Sequence, residues 1–442
     1  MQQISVSSEL TELKHKSYLS ENTILRYLAF SALYISEGIP IGITLFAIPA
    51  WLAMNNTSPI AISSYIAIIT LPWTFKMILA PIIDRYTLLS LGRKRPWIII
   101  SQLGLIISFL AIGFVENPTS NLTGLMIVGF MTSFFGATQD IAIDGMAVDI
   151  IPEHQQARAN GVMWGSRIIG QSLSLLIGTS LINIVGFTNA ISSLALVVAI
   201  LILVPICIRE RPGEKLMPWT KGKASEISKN AQLSHWSDLL KSLFKVITLP
   251  SSIFLGTGIF ITGTLSGIMT AFLPIFTVQE LKWTNTDFSH VYSAATLVGG
   301  CFGMLIGGFL IDLLGTKKMI TILLTLVMFL LIILGLSPNS WQNTTIIYGF
   351  VILYYLIITF FEIAVFASAM KLSWIKISAT QFTLYMTLNN IGYALGAWLL
   401  GLLNENLSWG NILLCMAMFP LVAMLFYKMI NAPKHMASIE NF

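Results

Sequence analysis

Six ionisable residues fall inside stretches otherwise built for hydrocarbon: Glu37, Lys76, Asp140, Asp144, Arg167 and Glu362. A charge inside a bilayer is costly, so such residues face an interior or a water-filled cavity and mark a solute or proton pathway. In GATQDIAIDGMAVDIIP (136–152), Asp140 and Asp144 are four apart and share a helix face. Two bare carboxylates there would repel and favour a proton on one of them. Lys76 and Arg167 supply positive charge at a similar depth from other helices. The expectation is a buried network of Lys76, Asp140, Asp144 and Arg167, acting either in coupling and binding or as a static clasp. Glu37 (ISEGIPIG) and Glu362 (TFFEIAVF) have no partner in their own helices. An unpaired carboxyl in apolar surroundings tends to keep its proton, which makes each a candidate proton carrier. Glu37 is the better one, because Gly38 and Gly42 admit a close neighbour. Trp51, Trp73 and Trp164 could stack on a sugar or ring, or serve only as packing and interface residues. Asp149, near Pro152, reads as a helix cap or loop partner.

The elements that must position these groups are membrane helices. The chain has 442 residues, 55% hydrophobic and 10% charged, with a mean hydropathy of +0.79. Soluble domains carry about 25% charged residues, so this is an all-α polytopic membrane protein. A span needs about 20 apolar residues. Twelve runs qualify, near 25–53, 60–83, 97–115, 122–150, 160–185, 188–208, 249–279, 288–312, 318–336, 344–369, 380–403 and 409–430. Gly38, Pro40, Pro49 and Pro274 are expected bends in the first and seventh. At 1.5 Å per residue, Lys76 lies roughly 12 Å from the Asp84 end of its helix, and all six charges fall between the midplane and one surface. Of the 25 Lys and Arg residues, all but Lys76, Arg167 and Lys282 lie at span ends, tails and loops on that side. The bias places both termini in the cytoplasm. The polar start of the chain shows no removable signal peptide. Cys207, Cys301 and Cys415 lie in apolar runs and read as packing residues, with no metal expected.

The organisation is a cytoplasmic tail (1–24), a six-helix bundle (25–208), a cytoplasmic linker (209–248), a second bundle (249–430) and a tail (431–442). In the linker, Leu233, Trp236, Leu239, Leu240, Leu243, Phe244 and Ile247 recur at helical spacing and predict an interfacial helix. The halves echo each other: APIIDRYTLLSLGRKRP follows span 2 and GGFLIDLLGTKKM follows span 8. Each carries an Asp, a Gly and basic residues, which suggests a conformational latch formed by Asp84, Arg85, Gly92, Arg93, Arg95 and, in the repeat, Asp312. Ala137-Thr138-Gln139 is echoed by Ala379-Thr380-Gln381. Six plus six spans with a repeated loop match transporters whose solute site lies between halves.

PWTFKMILAPIIDRY, LGRKRPW, GATQDIAIDGMAVDIIP and SATQFTLY, in this order, resemble the AmpG-type permeases and related acetyl-coenzyme A transporters of the major facilitator superfamily. The resemblance covers most of the chain, with its specific motifs in 35–170 and 378–396. It implies twelve helices, no cofactor, and a small-molecule substrate moved with protons as the coupling ion. Lys76, Gln139 and Asp140 match family positions. It further implies a monomer in a bacterial inner membrane importing a muropeptide-, sugar- or siderophore-like solute. The alternative is an exchanger or exporter of an acyl-nucleotide or drug-like solute. VDIIPEHQQARANGVMWGSR is not the usual muropeptide-permease wording, so the resemblance names a transporter and leaves its solute open. An enzyme is not expected, since no HExxH, GxSxG or P-loop pattern occurs, and nothing points to nucleic acid.

Overall fold

The computed structural model describes residues 18–230, 243–374 and 378–440. The predicted centre of the linker helix (Leu233 to Leu240) lies outside the described residues. The described chain is almost wholly helical, with one isolated bridge between Tyr18 and Arg209. Twelve helices are long and apolar enough to cross a membrane. Spans 1–6 are Thr23–Met54, Pro59–Ile83, Arg95–Gly113, Leu122–Ile150, Val162–Val185 and Phe187–Cys207. Spans 7–12 are Pro250–Glu280, Asn285–Gly307, Thr316–Leu336, Thr344–Ala369, Thr380–Asn406 and Trp409–Met429.

Helix starts opposite the basic loops are set by short polar side chains. Asn22 at span 1 is a basic-side example, but Ser58, Asn121, Thr284 and Ser408 each accept a first-turn backbone N–H on the other face. Thr284 and Asp287 form a reciprocal capping box. Such caps satisfy donors that the first helical turn would otherwise leave unpaired. The two proline-bearing first spans of the halves each widen into a π-helical turn, Gly42–Ala47 and Phe276–Glu280. These turns lie beside Pro49 and Pro274, where the missing N–H breaks the regular ladder.

Span 2 departs from the single helix expected. It is broken into Pro59–Thr74 and Lys76–Arg85, with Phe75 between them at φ −83° and ψ 1°. Prolines stand on either side, Pro72 and Pro81, and the Phe75 N–H turns back to Pro72 O at 3.1 Å in a tighter turn. Lys76 is therefore the first residue of a new helix.

Two glycine seams bring backbones together. A Cβ on Gly38 or Gly170 would press into the backbone of span 5 or span 1. In the second half, Gly263 and Gly267 of span 7 face the Asn389 and Tyr393 backbone of span 11 in the same manner. Within a membrane, where apolar contact alone does not drive helices together, such close approach supplies packing energy. Across the halves, span 2 packs along span 11 and span 5 along span 8. Gln279 Nε2 donates to Ala53 O (3.2 Å) and Thr57 O (2.7 Å), and Asn183 exchanges hydrogen bonds with Asn285 at 2.9 and 3.0 Å. These bonds close the face opposite the basic loops.

Candidate functional site

The charged residues meet as one cluster drawn from four spans. Lys76 forms an ion pair with Asp140. Arg167 bridges two carboxyl groups, with Nε 3.1 Å from Glu37 Oε1 and Nη1 3.8 Å from Asp140 Oδ1. The Tyr34 hydroxyl donates to Asp144 Oδ1. Glu37 is fully buried and Asp140 nearly so, whereas Lys76 and Arg167 retain 15% and 19% exposure. The cations are thus more accessible than the carboxyl groups they hold. Glu37 has its partner in span 5, reached because Gly38 lets the two backbones touch. Periodicity within span 1 carries no trace of that pairing.

Asp144 and Glu362 differ from the rest. Both are exposed, unlike Glu37 and Asp140, which are buried. Glu362 stands on the second half and lies within electrostatic reach of Arg167 on the first. Gln139 instead turns toward span 1, with Nε2 3.4 Å from Leu33 O. Two of the three tryptophans border the cluster. Lys76 Nζ lies 4.7 Å from the Trp73 ring centre, and Arg167 Cζ lies 5.6 Å from Trp73 and 5.1 Å from Trp164, within cation–π range. Trp51 packs on Phe187 at 4.5 Å, away from the charges. Gln381 is structural: it accepts from Trp374 N and donates to Leu372 O, tying the start of span 11 to the end of span 10.

Two features were not expected from sequence. One is a tyrosine wall on the second half. Tyr292 and Tyr355 stack edge to face at 4.9 Å, Tyr354 meets Tyr355 at 5.3 Å, and Tyr393 donates to Thr270 Oγ1 at 2.6 Å. The other is Asn390 of span 11, whose Nδ2 donates to Trp73 O at 3.0 Å. In an unbroken helix that carbonyl would serve the N–H of Met77. The break in span 2 is therefore held open from the opposite half, one turn from Lys76.

At the basic face, the GRKRP loop closes on a residue from far along the chain. Glu210 accepts from the backbone N–H groups of Arg93 (2.9 Å), Lys94 (2.8 Å) and Arg95 (2.6 Å), at the N-terminus of span 3. That helix end carries positive partial charge and unpaired donors, so a carboxylate fits it. Arg93 Nη1 reaches both oxygens of Asp149 at 2.9 Å, which makes Asp149 a loop partner. Arg95 donates to carbonyls of Pro205, Ile206, Lys215 and Leu216. Gly92 has φ +114°, and a Cβ there would lie 2.7 Å from Glu210 Oε1. Gly315, its echo in the second half, also has positive φ, +75°. Arg85 is exposed at its helix end. The side chains of Asp84 and Asp312 lie outside what is described. Nearby, burial first and then Glu210 push the Glu214 carboxyl up to about 7.

Comparison with known proteins gives one consistent family. The model of the Major Facilitator Superfamily matches residues 30–373 and 259–441. The chain is 26% identical over 146 residues to an anhydromuropeptide permease of Escherichia coli (strain K12). That match covers 33% of this chain and 28% of the permease, so it spans less than a third of the relative's length. A Rickettsia prowazekii protein that bears the name AmpG 3 is 23% identical over 420 residues, covering 90% of this chain and 94% of its own. Among solved structures, the nucleoside transporter NupG superposes with a TM-score of 0.68 at 15% identity, over 91% of this chain and 98% of that one. At that identity the likeness is one of fold.

Proposed function

The chain belongs to the major facilitator superfamily of membrane transporters, and from that premise we propose that it imports a polar solute by alternating access, driven by protons. In this reading the bundles 25–208 and 249–430 rock about the central cavity, working as a monomer in a bacterial inner membrane. The basic loops and both termini face the cytoplasm, so the face closed by Gln279 and Asn183 is external. The solute is of the muropeptide, sugar or siderophore class, a choice supported by the permease relative and by the half-exposed Trp73.

The observation that carries proton coupling is the charge count of the cluster. Two cations, Lys76 and Arg167, face three carboxyl groups, Glu37, Asp140 and Asp144. With every group ionised the set carries one net negative charge; with one proton added it is neutral. A low-dielectric interior disfavours the uncompensated charge, so the site gains a proton in one state and releases it where water or a solute compensates. Asp140 holds both cations and is the residue through which proton and conformation communicate.

The test is reconstitution in liposomes containing a pH-sensitive dye. Addition of the transported solute, among anhydro-muropeptides, siderophores and simple sugars, acidifies the lumen in the wild type. Asp140→Asn keeps solute-induced thermal stabilisation but loses the proton signal. Solute flux that is indifferent to the pH gradient and leaves the dye unchanged would replace symport with exchange.

A further inference from the structure

Two tryptophans flank Arg167, and each of them also holds the opposite bundle. The Arg167 guanidinium carbon lies 5.1 Å from the ring centre of Trp164 and 5.6 Å from that of Trp73. The Trp164 ring meets Phe366 of span 10 at 6.4 Å between centres, and Phe366 meets Phe382 of span 11 at 6.2 Å. Both separations fall in the range of attractive aromatic pairs. Trp73 reaches span 11 through its backbone carbonyl, which accepts from Asn390 Nδ2 at 3.0 Å. The ring contacts lie toward the basic loops. Trp164 precedes Arg167 by three residues, about 4.5 Å along a helix that starts at Glu153 on that side. Phe366 is near the Leu372 end of its helix and Phe382 near the Ser378 start of the next. On the opposite face the halves are joined by amides, with Gln279 donating to Thr57 O at 2.7 Å and Asn183 to Asn285 Oδ1 at 2.9 Å. Along span 5 the order is therefore aromatic contact at Trp164, charge cluster at Arg167, and amide seal at Asn183.

We infer that Trp164, closing on Phe366 and Phe382, is the gate between the bundles on the basic-loop side, and that Arg167 controls it. The inference rests on the alternating-access reading above and adds which side chains part and what governs their parting. Rings that separate leave no donor or acceptor unpaired, whereas each amide bond on the other face must be exchanged for a bond to water. The aromatic contact is thus the one that a shift of a neighbouring charge can release. A guanidinium holds an indole through its charge and its closeness to the ring. While Glu37 and Asp140 fix Arg167, Arg167 in turn fixes both tryptophans. A proton on either carboxyl weakens that hold, and the Trp164 ring and the Trp73 backbone lose their common support together. Trp164 is in this sense a positioning residue, acting through Arg167 and the opposite bundle.

The experiment reads proton leak in liposomes holding a pH-sensitive dye, with a pH step imposed and no solute present. The wild type is expected to stay tight, because one seal is closed whenever the other opens. Trp164→Ala should leak about two- to tenfold faster, the shift in a closing equilibrium that one aromatic pair supplies. Phe366→Ala removes the same contact from the other bundle and should leak alike. It also serves if the loss of Trp164 impairs folding, which the melting temperature in detergent reports. The double variant should leak no more than either single one, because both delete one shared contact. Trp164→Phe keeps a ring and should restore both tightness and solute-driven acidification. Trp164→Leu keeps an apolar plug but offers the guanidinium no ring face, and should restore tightness without restoring acidification. Folded alanine variants as tight as the wild type, or leaks that simply add in the double variant, reduce the rings to packing and overturn the gate. A leucine variant that recovers acidification as fully as phenylalanine overturns the part given to Arg167. Solute-driven acidification by the wild type is read in the same vesicles; its absence overturns symport, while the leak comparison still decides the gate.

Discussion

Arg167 meets two carboxyl groups through two different nitrogens, and that geometry is what an arginine provides and a lysine lacks. Arg167→Lys is expected to keep the protein folded and to reduce transport at least tenfold, because one ammonium cannot span Glu37 and Asp140. Arg167→Ala leaves the buried Glu37 carboxyl without its ion pair, while Asp140 keeps Lys76, and should cost about 3–5 kcal/mol of stability, read as a lower melting temperature in detergent. Pairing it with Glu37→Gln should restore part of the melting temperature but not the transport, separating the clasp from the mechanism. A second prediction concerns Glu214, outside the spans. Its folded value of about 7 lies above the ordinary 4.5, so the folded protein holds the proton more tightly. The stability this contributes is fully present below pH 4.5 and is lost as pH rises through about 7. Glu214→Gln should therefore raise the melting temperature at pH 8 and leave it unchanged at pH 4, and an unchanged difference across that range would count against the assignment. At this scale much was legible. The residue types, their shared depth and the i, i+4 pairing of Asp140 and Asp144 all follow from the sequence. That Glu37 belongs with Arg167, while Asp144 takes the Tyr34 hydroxyl, depends on how separate helices rotate against each other, which no single helix encodes.

Spans 1 and 2 show how elements set the site. The seam at Gly38 and Gly170 lets spans 1 and 5 touch at backbone level, which brings Glu37 and Arg167 within 3.1 Å. Gly170→Val is predicted to force the seam apart and lose folded protein, whereas Gly349, with open space around its Cβ position, should accept alanine without loss. In span 2 the helix break puts Lys76 at a helix start, and Asn390 holds the freed Trp73 carbonyl. Since that bond crosses between the halves, Asn390→Ala should lower the turnover rate more than the apparent solute affinity. Transport kinetics in liposomes would show this, and an effect on affinity alone would reject the role. Pro72 and Pro81 marked span 2 as irregular, but the position of the break depends on a side chain more than 300 residues away. The glycine seams were partly readable, since Gly38 and Gly42 stand out in span 1; their partners were not.

The whole molecule repeats itself. Spans 1 and 7 each carry a π-helical turn and a glycine seam, and the loops after spans 2 and 8 each turn on a glycine with positive φ. The repeat was visible in the Asp, Gly and basic residues of the loops, because that motif is local. The way the halves close is not local. It rests on amides such as Asn183, Asn285 and Gln279, which no charge or periodicity distinguishes from other polar residues. If these bonds form one gate, cysteines at Asn183 and Asn285 should cross-link under oxidation and stop transport, with activity returning on reduction. Transport that persists with the cross-link complete would mean that this face does not open during the cycle.

The Glu210 clasp also constrains how the protein is made. The loop at Arg93 leaves the ribosome 117 residues before the carboxylate that seals it. At ordinary rates of synthesis that is a wait of about 6 to 23 s, during which span 3 has an open, positively polarised start. The first half can therefore reach its finished form only after span 6 has been inserted. Any chain halted within that interval would expose three backbone donors and a cluster of basic residues at the membrane surface, a form that quality-control proteases could distinguish from the completed bundle.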